Sequence, residues 1–259
     1  MSDITTLCIN RSLRIGQERL NYQNSLMKIV EYYNSKNIVV EFQDEYKERV
    51  HTNTSNFDIG NVKNHFIPNV CGVGFLGCKK VKNREAYRCW VHMLHRCYNE
   101  IRLQQAPAYK GCTVCEEWHN YTNFEKWYEA NYYTIDDEIM CLDKDILVKG
   151  NRVYSPNTCV FVPTRINTLF EKRNKSKYGM PIGVIQRREN KHAISYRAKC
   201  RNIYGKRITS KTFNNQIDCF YEYKRIKEET FKEAANLYKD KIPKKLYVAM
   251  CNWIIEEDD

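Results

Sequence analysis

The chain has 259 residues and is basic, with 42 Lys and Arg against 31 Asp and Glu and a net charge of +11. Its length allows two or three small modules rather than one large core. Residues 1–10 lack the basic start and apolar core of a signal peptide, and no apolar run approaches the length of a membrane span. We therefore expect a soluble intracellular protein whose 12 cysteines are buried thiols rather than disulfides.

The positive charge is concentrated in one segment. Glu171–Phe213 contains thirteen Lys and Arg against two acids, a net +11, so the rest of the chain is close to neutral. A basic segment in a chain with 19 Tyr is typical of a nucleic-acid partner. Basic proteins also bind acidic proteins, so charge alone leaves the partner open.

The N-terminal part predicts a small β module. Leu26–Tyr33 and Asn37–Phe42 alternate apolar and polar residues around a polar turn, which indicates two strands. A two-stranded hairpin is not stable alone, so a further strand must pair with it. The Gly-rich run Gly72–Gly77 lacks the Gly-Lys-Ser/Thr ending of a phosphate-binding loop. We interpret it as a tight turn or bulge.

Two helices are predicted next. Glu85–Tyr98 has apolar residues at helical spacing, and its His92 and His95 could share a metal ion, but exposed polar residues explain them better because no further ligand lies nearby. A second stretch carries aromatic residues at helical spacing, which favours a packed core helix over base stacking. Its aromatic residues are Trp118, Tyr121, Phe124, Trp127 and Tyr128.

Cys112 and Cys115 form the one close cysteine pair and are candidate ligands of a structural Zn²⁺ ion. Zinc needs a second pair or a Cys/His couple, and no cleanly spaced partner follows. His119, Cys141 or Cys159 could complete the site in three dimensions. Buried thiols without metal are the alternative.

The segment Cys141–Phe170 predicts a strand, a polar loop, a second strand and a helix, in a ββα order. If Leu142–Ile146 is a strand, then Asp143 and Asp145 face one side and Lys144 the other. Two carboxylates on one face suit Mg²⁺ or Mn²⁺. Alternatively, they pair with Lys149 or Arg152, and a bulge would let Lys144 join them. The acids at 136–138 are interpreted as a solvated turn.

This ββα segment resembles the HNH nuclease motif of phage homing endonucleases. Asp143 falls on the family's Asp, Thr158-Cys159 on its Asn-Leu, and Asn167 on its closing Asn, whereas Lys144 replaces the signature His. The resemblance extends to Trp90–Tyr98, Tyr109–Trp118 and Leu142–Ile146, an arrangement shared by phage proteins. It implies Asp143 and Asn167 as ligands of Mg²⁺ or Mn²⁺. We expect Asp145 to be a further ligand or the catalytic base, and Lys144 to contact the scissile phosphate or to replace the missing His. Asn157 is a further candidate catalytic residue.

After a basic linker at 174–178, three short strands and a helix are predicted. The strands are Ile182–Gln186, Ile194–Arg201 and Ile203–Phe213, the last with a turn at Tyr204-Gly205, and the helix lies within Asn215–Lys239. On the middle strand Ile194, Tyr196, Ala198 and Cys200 form an apolar face, opposite a basic one. This arrangement resembles the plant Apetala/ethylene-response-type DNA-binding domain, through Gly183-Val184, Tyr196-Arg197-Ala198 and Lys206-Arg207.

That second resemblance implies binding of double-stranded DNA, in whose major groove a β-ribbon fits. The residues expected to bind DNA are Arg187, Arg188, Arg197, Lys199, Arg201, Lys206, Arg207 and Lys211. The alternative is a solvated basic face on an ordinary β module. Residues 240–259 predict a short amphipathic helix that caps this module or mediates a dimer.

The sequence therefore predicts an α+β protein with an HNH-like ββα-metal nuclease module at 79–173. It is flanked by a small N-terminal β module at 1–78, which is a candidate DNA contact, and by a C-terminal DNA-binding module at 174–259, which consists of a three-stranded sheet plus helix. The predicted activity is metal-dependent endonuclease cleavage of duplex DNA in the cytoplasm of a phage-infected bacterium. The alternatives are a catalytically inactive DNA-binding or regulatory protein that keeps the scaffold, or a phage inhibitor of a host defence protein.

Overall fold

The computed structural model describes residues 13–77, 80–171, 179–188 and 194–257. It is a mixed α+β structure with several small sheets, which confirms the predicted class. The chain divides into two compact units. Unit 1 contains Met1–Lys110 and Val114–Tyr128, and unit 2 contains Gly111–Thr113 and Glu129–Asp259. The three-module division at 78 and 173 stays a prediction.

Unit 1 contains an antiparallel four-stranded meander in the order β1-β2-β3-β4. Its strands are β1 Glu18–Leu20, β2 Leu26–Asn34, β3 Asn37–Phe42 and β4 Arg49–Thr52. The predicted hairpin is β2–β3, and β1 and β4 supply the further pairing that a hairpin requires. Met27, Ile29 and Phe42 are fully buried on one face. Helix α1, Thr54–Asp58, follows and is capped by the Asn53 side chain.

The glycine-rich run of unit 1 forms the tight turn that the sequence predicts. The amide of Gly74 donates to the Val70 carbonyl at 2.9 Å, and Cys71 and Gly72 take positive φ angles of 52° and 74°. Gly74 itself lies against Trp90, so that a Cβ at this position would overlap the indole ring. The turn therefore packs directly onto the helix that follows.

The helical part of unit 1 is organised around buried aromatic rings. Its elements are α2 Arg84–Tyr98, α3 Glu100–Gln105, the 3₁₀ turns Pro107–Tyr109 and Glu116–His119, and α4 Tyr121–Asn131, of which residues 129–131 are assigned to unit 2. The short strand β5, Thr113–Val114, has one residue in each unit. Trp90, Trp118, Tyr121 and Phe124 are fully buried, and the Trp90 indole donates to the Trp118 carbonyl at 2.7 Å. The predicted core role of the aromatic residues is confirmed, although Trp118 lies in a 3₁₀ turn before the helix.

Unit 2 contains a ββα arrangement followed by a three-stranded sheet and two helices. Its elements are β6 Met140–Asp143, β7 Val153–Tyr154, β8 Val160–Pro163, α5 Thr164–Phe170, β9 Val184–Arg188, β10 Ile194–Arg201, β11 Arg207–Thr209, α6 Gln216–Leu237 and α7 Lys244–Cys251. The predicted turn at Tyr204-Gly205 is confirmed. The strand predicted over Ile203–Phe213 is shorter than expected, because only Arg207–Thr209 forms a strand paired with β10.

The ββα arrangement and the three-stranded sheet share one hydrophobic core. Val162 and Ile166 belong to the same buried cluster as Ala198 on β10 and Phe231 on α6. The rings of Phe170 and Phe231 stack with centroids 4.4 Å apart. Helix α7 also packs into this cluster, in which its Leu246 and Met250 are fully buried. The C-terminal amphipathic helix therefore completes the core of unit 2, as the capping interpretation of residues 240–259 expects.

Candidate functional site

The predicted acidic pair lies at the end of the first strand of the ββα arrangement. Strand β6 pairs antiparallel with β8, so that Asp143 is opposite Val160, and α5 begins directly after β8. Leu142 and Val160 are buried and fix the strand ends in the core. Asp143 is thus held by the sheet, whereas the residues after it form a loop.

Asp143 organises this loop with its own carboxylate. Its Oδ1 accepts the backbone N–H groups of Asp145 at 2.9 Å and Ile146 at 2.7 Å. These bonds turn the chain immediately after β6, so the predicted strand Leu142–Ile146 ends at Asp143. The expected alternation, which placed Lys144 on the opposite face from the two acids, is therefore wrong.

Burial, and after it the neighbouring negative charge of Asp145, raise the pKa of Asp143 to about 6. The two backbone hydrogen bonds and the positive charge of Lys144 act in the opposite direction. Two carboxylates whose charges repel each other within a partly buried site attract a cation. The pair therefore carries an unfavourable excess of negative charge, which a nearby cation offsets.

Lys144 is buried, with 9% of its surface exposed, and it lies beside the acidic pair. Its Nζ is 3.3 Å from Asp145 Oδ2 and 5.9 Å from the centroid of the Tyr154 ring. The ammonium group is held between a carboxylate and an aromatic face, which is a favourable environment for a cation. Of the proposed catalytic and metal residues, the structure brings together Asp143, Lys144 and Asp145.

Two residues that the sequence did not single out hold Lys144 in place. Tyr154 is 2% exposed and supplies the ring beneath the ammonium group. The Asn151 amide donates to the carbonyls of Lys144 at 2.7 Å and Val153 at 2.8 Å, which closes the loop. The turn sequence Lys149-Gly150-Asn151 could have indicated that Asn151 closes a loop. The role of Tyr154 depends on tertiary packing and has no local sequence pattern.

The far end of the acidic loop is tied to the segment after α7. Lys149 Nζ donates to the Ile254 carbonyl at 2.9 Å and to Glu256 at 2.8 Å. Ile146 is buried in the same cluster as Ile255. Lys149 therefore fixes the loop, and Asp145 takes Lys144 as its ion-pair partner.

The two asparagines of the predicted site lie on separate elements. Asn157 is exposed in the turn between β7 and β8, and Asn167 is half-buried on α5. In the described part of the chain, no hydrogen bond joins either amide to Asp143 or Asp145. Their roles as ligand and catalytic residue stay predictions.

The acid-rich turn before β6 has one buried member. Asp136 and Asp137 are exposed, as predicted, and Asp137 has a positive φ of 60°. Glu138 instead accepts the Tyr238 hydroxyl at 2.5 Å and lies 3.6 Å from Arg165 Nε. The solvated-turn interpretation therefore holds for two of the three acids.

The three-stranded sheet has one cationic face. It is antiparallel in the order β11-β10-β9, and directly paired residues lie on the same face. Ala198 and Cys200 are buried toward the core, whereas Ile194, predicted to lie on the apolar face, is 50% exposed at the strand start. The opposite face, called here the basic face, carries Arg187, Arg197, Lys199, Arg201 and Arg207.

The basic face contains a cationic cleft and a repulsive pair. Lys199, Arg201 and Arg207 line a cleft of about 440 Å³. Arg201 is paired directly with Arg207 across the strands, and like charges at opposed positions destabilise a sheet. No Asp or Glu occurs in β9, β10 or β11 to offset this. An arrangement of this kind favours an anionic ligand.

The remaining basic residues of the prediction lie at the strand ends. Lys206 and Lys211 are exposed on either side of β11, and Lys211 Nζ lies 5.5 Å from the centroid of the Phe213 ring. Arg197 is partly buried and donates from Nε to the Thr212 hydroxyl at 2.9 Å. The Arg188 side chain lies outside the described residues.

The predicted zinc pair has weak support. Cys112 is 3% exposed, and burial raises the pKa of the Cys115 thiol, which disfavours the thiolate that zinc binds. His119 Nε2 is buried and has no hydrogen-bond partner among the described residues. However, the described ranges hold no group of three or more His, Cys, Asp or Glu placed to bind a metal ion. Structural zinc stays a prediction.

Comparison of the chain with protein-family profiles, with curated proteins and with solved structures finds no match. Among the described residues, no helix combines the length and the apolar character needed to cross a bilayer.

Proposed function

We propose that this protein is a metal-dependent endonuclease that holds duplex DNA on the basic face and cuts it at the Asp143–Asp145 pair. The observation that carries the proposal is that both features are built on one hydrophobic core. Phosphate contacts supply most of the affinity of a protein for DNA, and five cations on one sheet face suit that role. The resemblances in sequence support the same assignment.

The donor set fits an oxygen-preferring dication. Mg²⁺ and Mn²⁺ are commonly held by one or two carboxylates, with water and substrate phosphate as the other ligands. The backbone bonds of Asp143 use Oδ1, and the Asp145 side chain is 41% exposed. Asp143 and Asp145, with Asn167 from α5, would hold the ion. When bound, it would polarise the phosphodiester and stabilise the leaving 3′ oxygen.

Lys144 and Asp145 have separate parts in the proposed reaction. The Lys144 ammonium, fixed by Tyr154 and Asp145, can donate to a phosphate oxygen that gains charge in the transition state. Asp145 is the more exposed carboxylate and accepts a proton from the attacking water. Asn157, exposed in the turn between β7 and β8, is a further candidate catalytic residue.

The direct test is cleavage of supercoiled plasmid in Mg²⁺ or Mn²⁺ by the wild type and by Asp145→Asn, with DNA affinity measured in parallel in Ca²⁺. Loss of a general base lowers rates by roughly 10²–10⁴-fold. We expect a decrease of that size, with affinity changed by less than about twofold because the basic face is intact. Asp136→Asn removes an exposed charge from the same unit and is the matched control. Equal cutting by Asp145→Asn and wild type would contradict the assignment.

A second candidate function is a DNA-binding protein without catalysis. It is favoured by one observation, which is that the Lys144 ammonium lies 3.3 Å from Asp145 and already neutralises that carboxylate. Under this alternative, folded protein binds DNA with steep salt dependence and cuts none in any divalent cation. The plasmid assay therefore separates the two candidates.

A further inference from the structure

A groove in unit 2 lies between helix α5 and the turn that joins β10 to β11. Its volume is about 440 Å³, which is within the range of small-ligand sites. Two arginines and one tyrosine line it, Arg165 from the helix and Arg201 and Tyr204 from the sheet side. Arg201 also belongs to the basic face, so the groove continues the cationic surface of the sheet.

Tyr204 is presented on a turn with a fixed conformation. Asn202 Oδ1 accepts the backbone N–H groups of Tyr204 at 3.1 Å and Lys206 at 2.9 Å. Ile203 is 6% exposed and anchors the turn in the core, and Gly205 supplies the positive φ of 75°. Nevertheless Tyr204 is 68% exposed. A large exposed ring on a rigid support adds little to folding stability but is suited to stacking on a ligand.

Arg165 contacts a carboxylate that is largely removed from solvent and is itself hydrogen-bonded to a buried tyrosine. Its Nε is 3.6 Å from Glu138 Oε1, and that carboxylate also accepts the Tyr238 hydroxyl. The Glu138 side chain is 12% exposed, whereas that of Arg165 is 50% exposed. Burial, together with the Glu138 carboxylate, raises the pKa of Tyr238 to about 12, so this hydroxyl remains a donor at neutral pH. The Arg165 side chain is therefore held by Glu138 at its Nε and is half exposed to solvent.

We propose that this groove binds one unpaired nucleotide of the DNA, with its phosphate between Arg165 and Arg201 and its base stacked on Tyr204. Arginine forms strong charge-assisted hydrogen bonds with phosphate, and an aromatic ring stacks on any base whose face is free. A paired base inside a duplex does not offer that face, so the groove selects a displaced or unpaired nucleotide. The inference rests on the proposed function, because it takes the DNA to lie on the adjoining basic face.

The test compares a short duplex with the same duplex that carries one unpaired 2-aminopurine nucleotide. Affinity is measured by fluorescence anisotropy, and stacking by quenching of the 2-aminopurine signal. The wild type is expected to prefer the DNA with the unpaired nucleotide. Tyr204→Ala should lower affinity for that DNA by roughly 5- to 100-fold, the effect of one stacked base, and should abolish the quenching. Its affinity for the fully paired duplex should change by less than about twofold, because the phosphate contacts remain.

Two control variants make the result specific. Tyr204→Phe keeps the ring and should keep both the preference and the quenching. Tyr221→Ala removes another exposed tyrosine, on α6, and should bind as the wild type does. If Tyr204→Ala retains the preference, or if the wild type binds both DNAs equally, the groove proposal is refuted while DNA binding stands. If the wild type binds neither DNA at low salt, the proposed function fails as well.

Discussion

Replacing Asp143 by Asn should make the protein more stable at neutral pH. The side-chain oxygen of Asn can still accept the N–H groups of Asp145 and Ile146 that define the loop. The substitution removes a carboxylate that is unfavourable when charged, because it is buried and close to the charge of Asp145. The variant should therefore keep the fold and lose the cation site.

The magnitude follows from the raised pKa of Asp143. The pKa rises from 3.8 to about 6, so the folded state favours the protonated acid. Stability is then greatest below the unfolded-state value and is lost as the pH rises through the folded-state value. At 1.36 kcal/mol for each pKa unit, ionisation above pH 6 costs about 3 kcal/mol of folding free energy. Because Asn stays neutral, Asp143→Asn should gain about 1–3 kcal/mol at pH 8 and nothing below about pH 4.

The assay is urea unfolding of the wild type and Asp143→Asn at pH 8 and near pH 4, with Asp136→Asn as the control for an exposed acid. Saturating Mg²⁺ should stabilise the wild type at pH 8 and leave Asp143→Asn unchanged, since a ligand stabilises only the state that binds it. If Asp143→Asn is less stable than the wild type at pH 8, Asp143 acts as a structural carboxylate and the reasoning fails. If Asp143→Asn were more stable than the wild type by the same free energy at pH 8 and near pH 4, the reasoning from the raised pKa would also be refuted.

Three further predictions concern the site and its support. Lys144→Met should raise the pKa of Asp143, because the Lys144 ammonium lowers it. The pH at which cleavage begins should therefore increase, and an unchanged pH–rate profile between pH 5 and 9 would contradict this. Arg207→Gln should lower the salt slope of DNA binding by about 1 and stabilise the sheet by about 0.2–1 kcal/mol, because a like-charge pair is removed; filter binding and urea unfolding test it. Gly183→Ala should destabilise the protein by several kcal/mol more than Gly205→Ala, as judged by urea unfolding. Both glycines have a φ of +75°, but only a Cβ at Gly183 would overlap a buried ring, that of Tyr223. If the two variants lost the same free energy of unfolding, this overlap would be excluded as the cause.

Local patterns predicted the elements whose stabilising contacts are local. The alternation in β2 and the helical spacing of α2 were correct because each of these elements buries mainly one face, which gives its apolar residues a regular period. Strand β3 was also found, although Val39 is buried as well as its neighbours Ile38 and Val40. The three-stranded sheet was found for the same reason. The turn at Tyr204-Gly205 was predicted correctly, but the third strand was predicted too long, since the buried Ile203 belongs to that turn and not to the strand.

The candidate site was harder to predict than the fold. The acids and lysine of Leu142–Ile146 were identified, but their arrangement was wrong, because the Asp143 side chain competes with the sheet for backbone N–H groups. The sequence located the Tyr204-Gly205 turn but not the exposure of the Tyr204 ring. Tyr154 gave no signal, because its ring lies beneath the Lys144 ammonium only in the folded chain. The shared core was also missed, because contacts between distant parts of a chain leave no local pattern.

The bond between Lys149 and the Ile254 carbonyl has a consequence for when the acidic loop becomes ordered during synthesis. The two residues are 105 positions apart, and Ile146 belongs to a buried cluster that also includes Met250 and Ile255. At roughly 5–20 residues per second, a ribosome takes about 5–20 s to make the intervening chain. A nascent chain that already displays Asp143 and Asp145 therefore lacks the segment that anchors their loop. Under the proposed function, we expect DNA cutting to begin only once that segment has emerged from the ribosome.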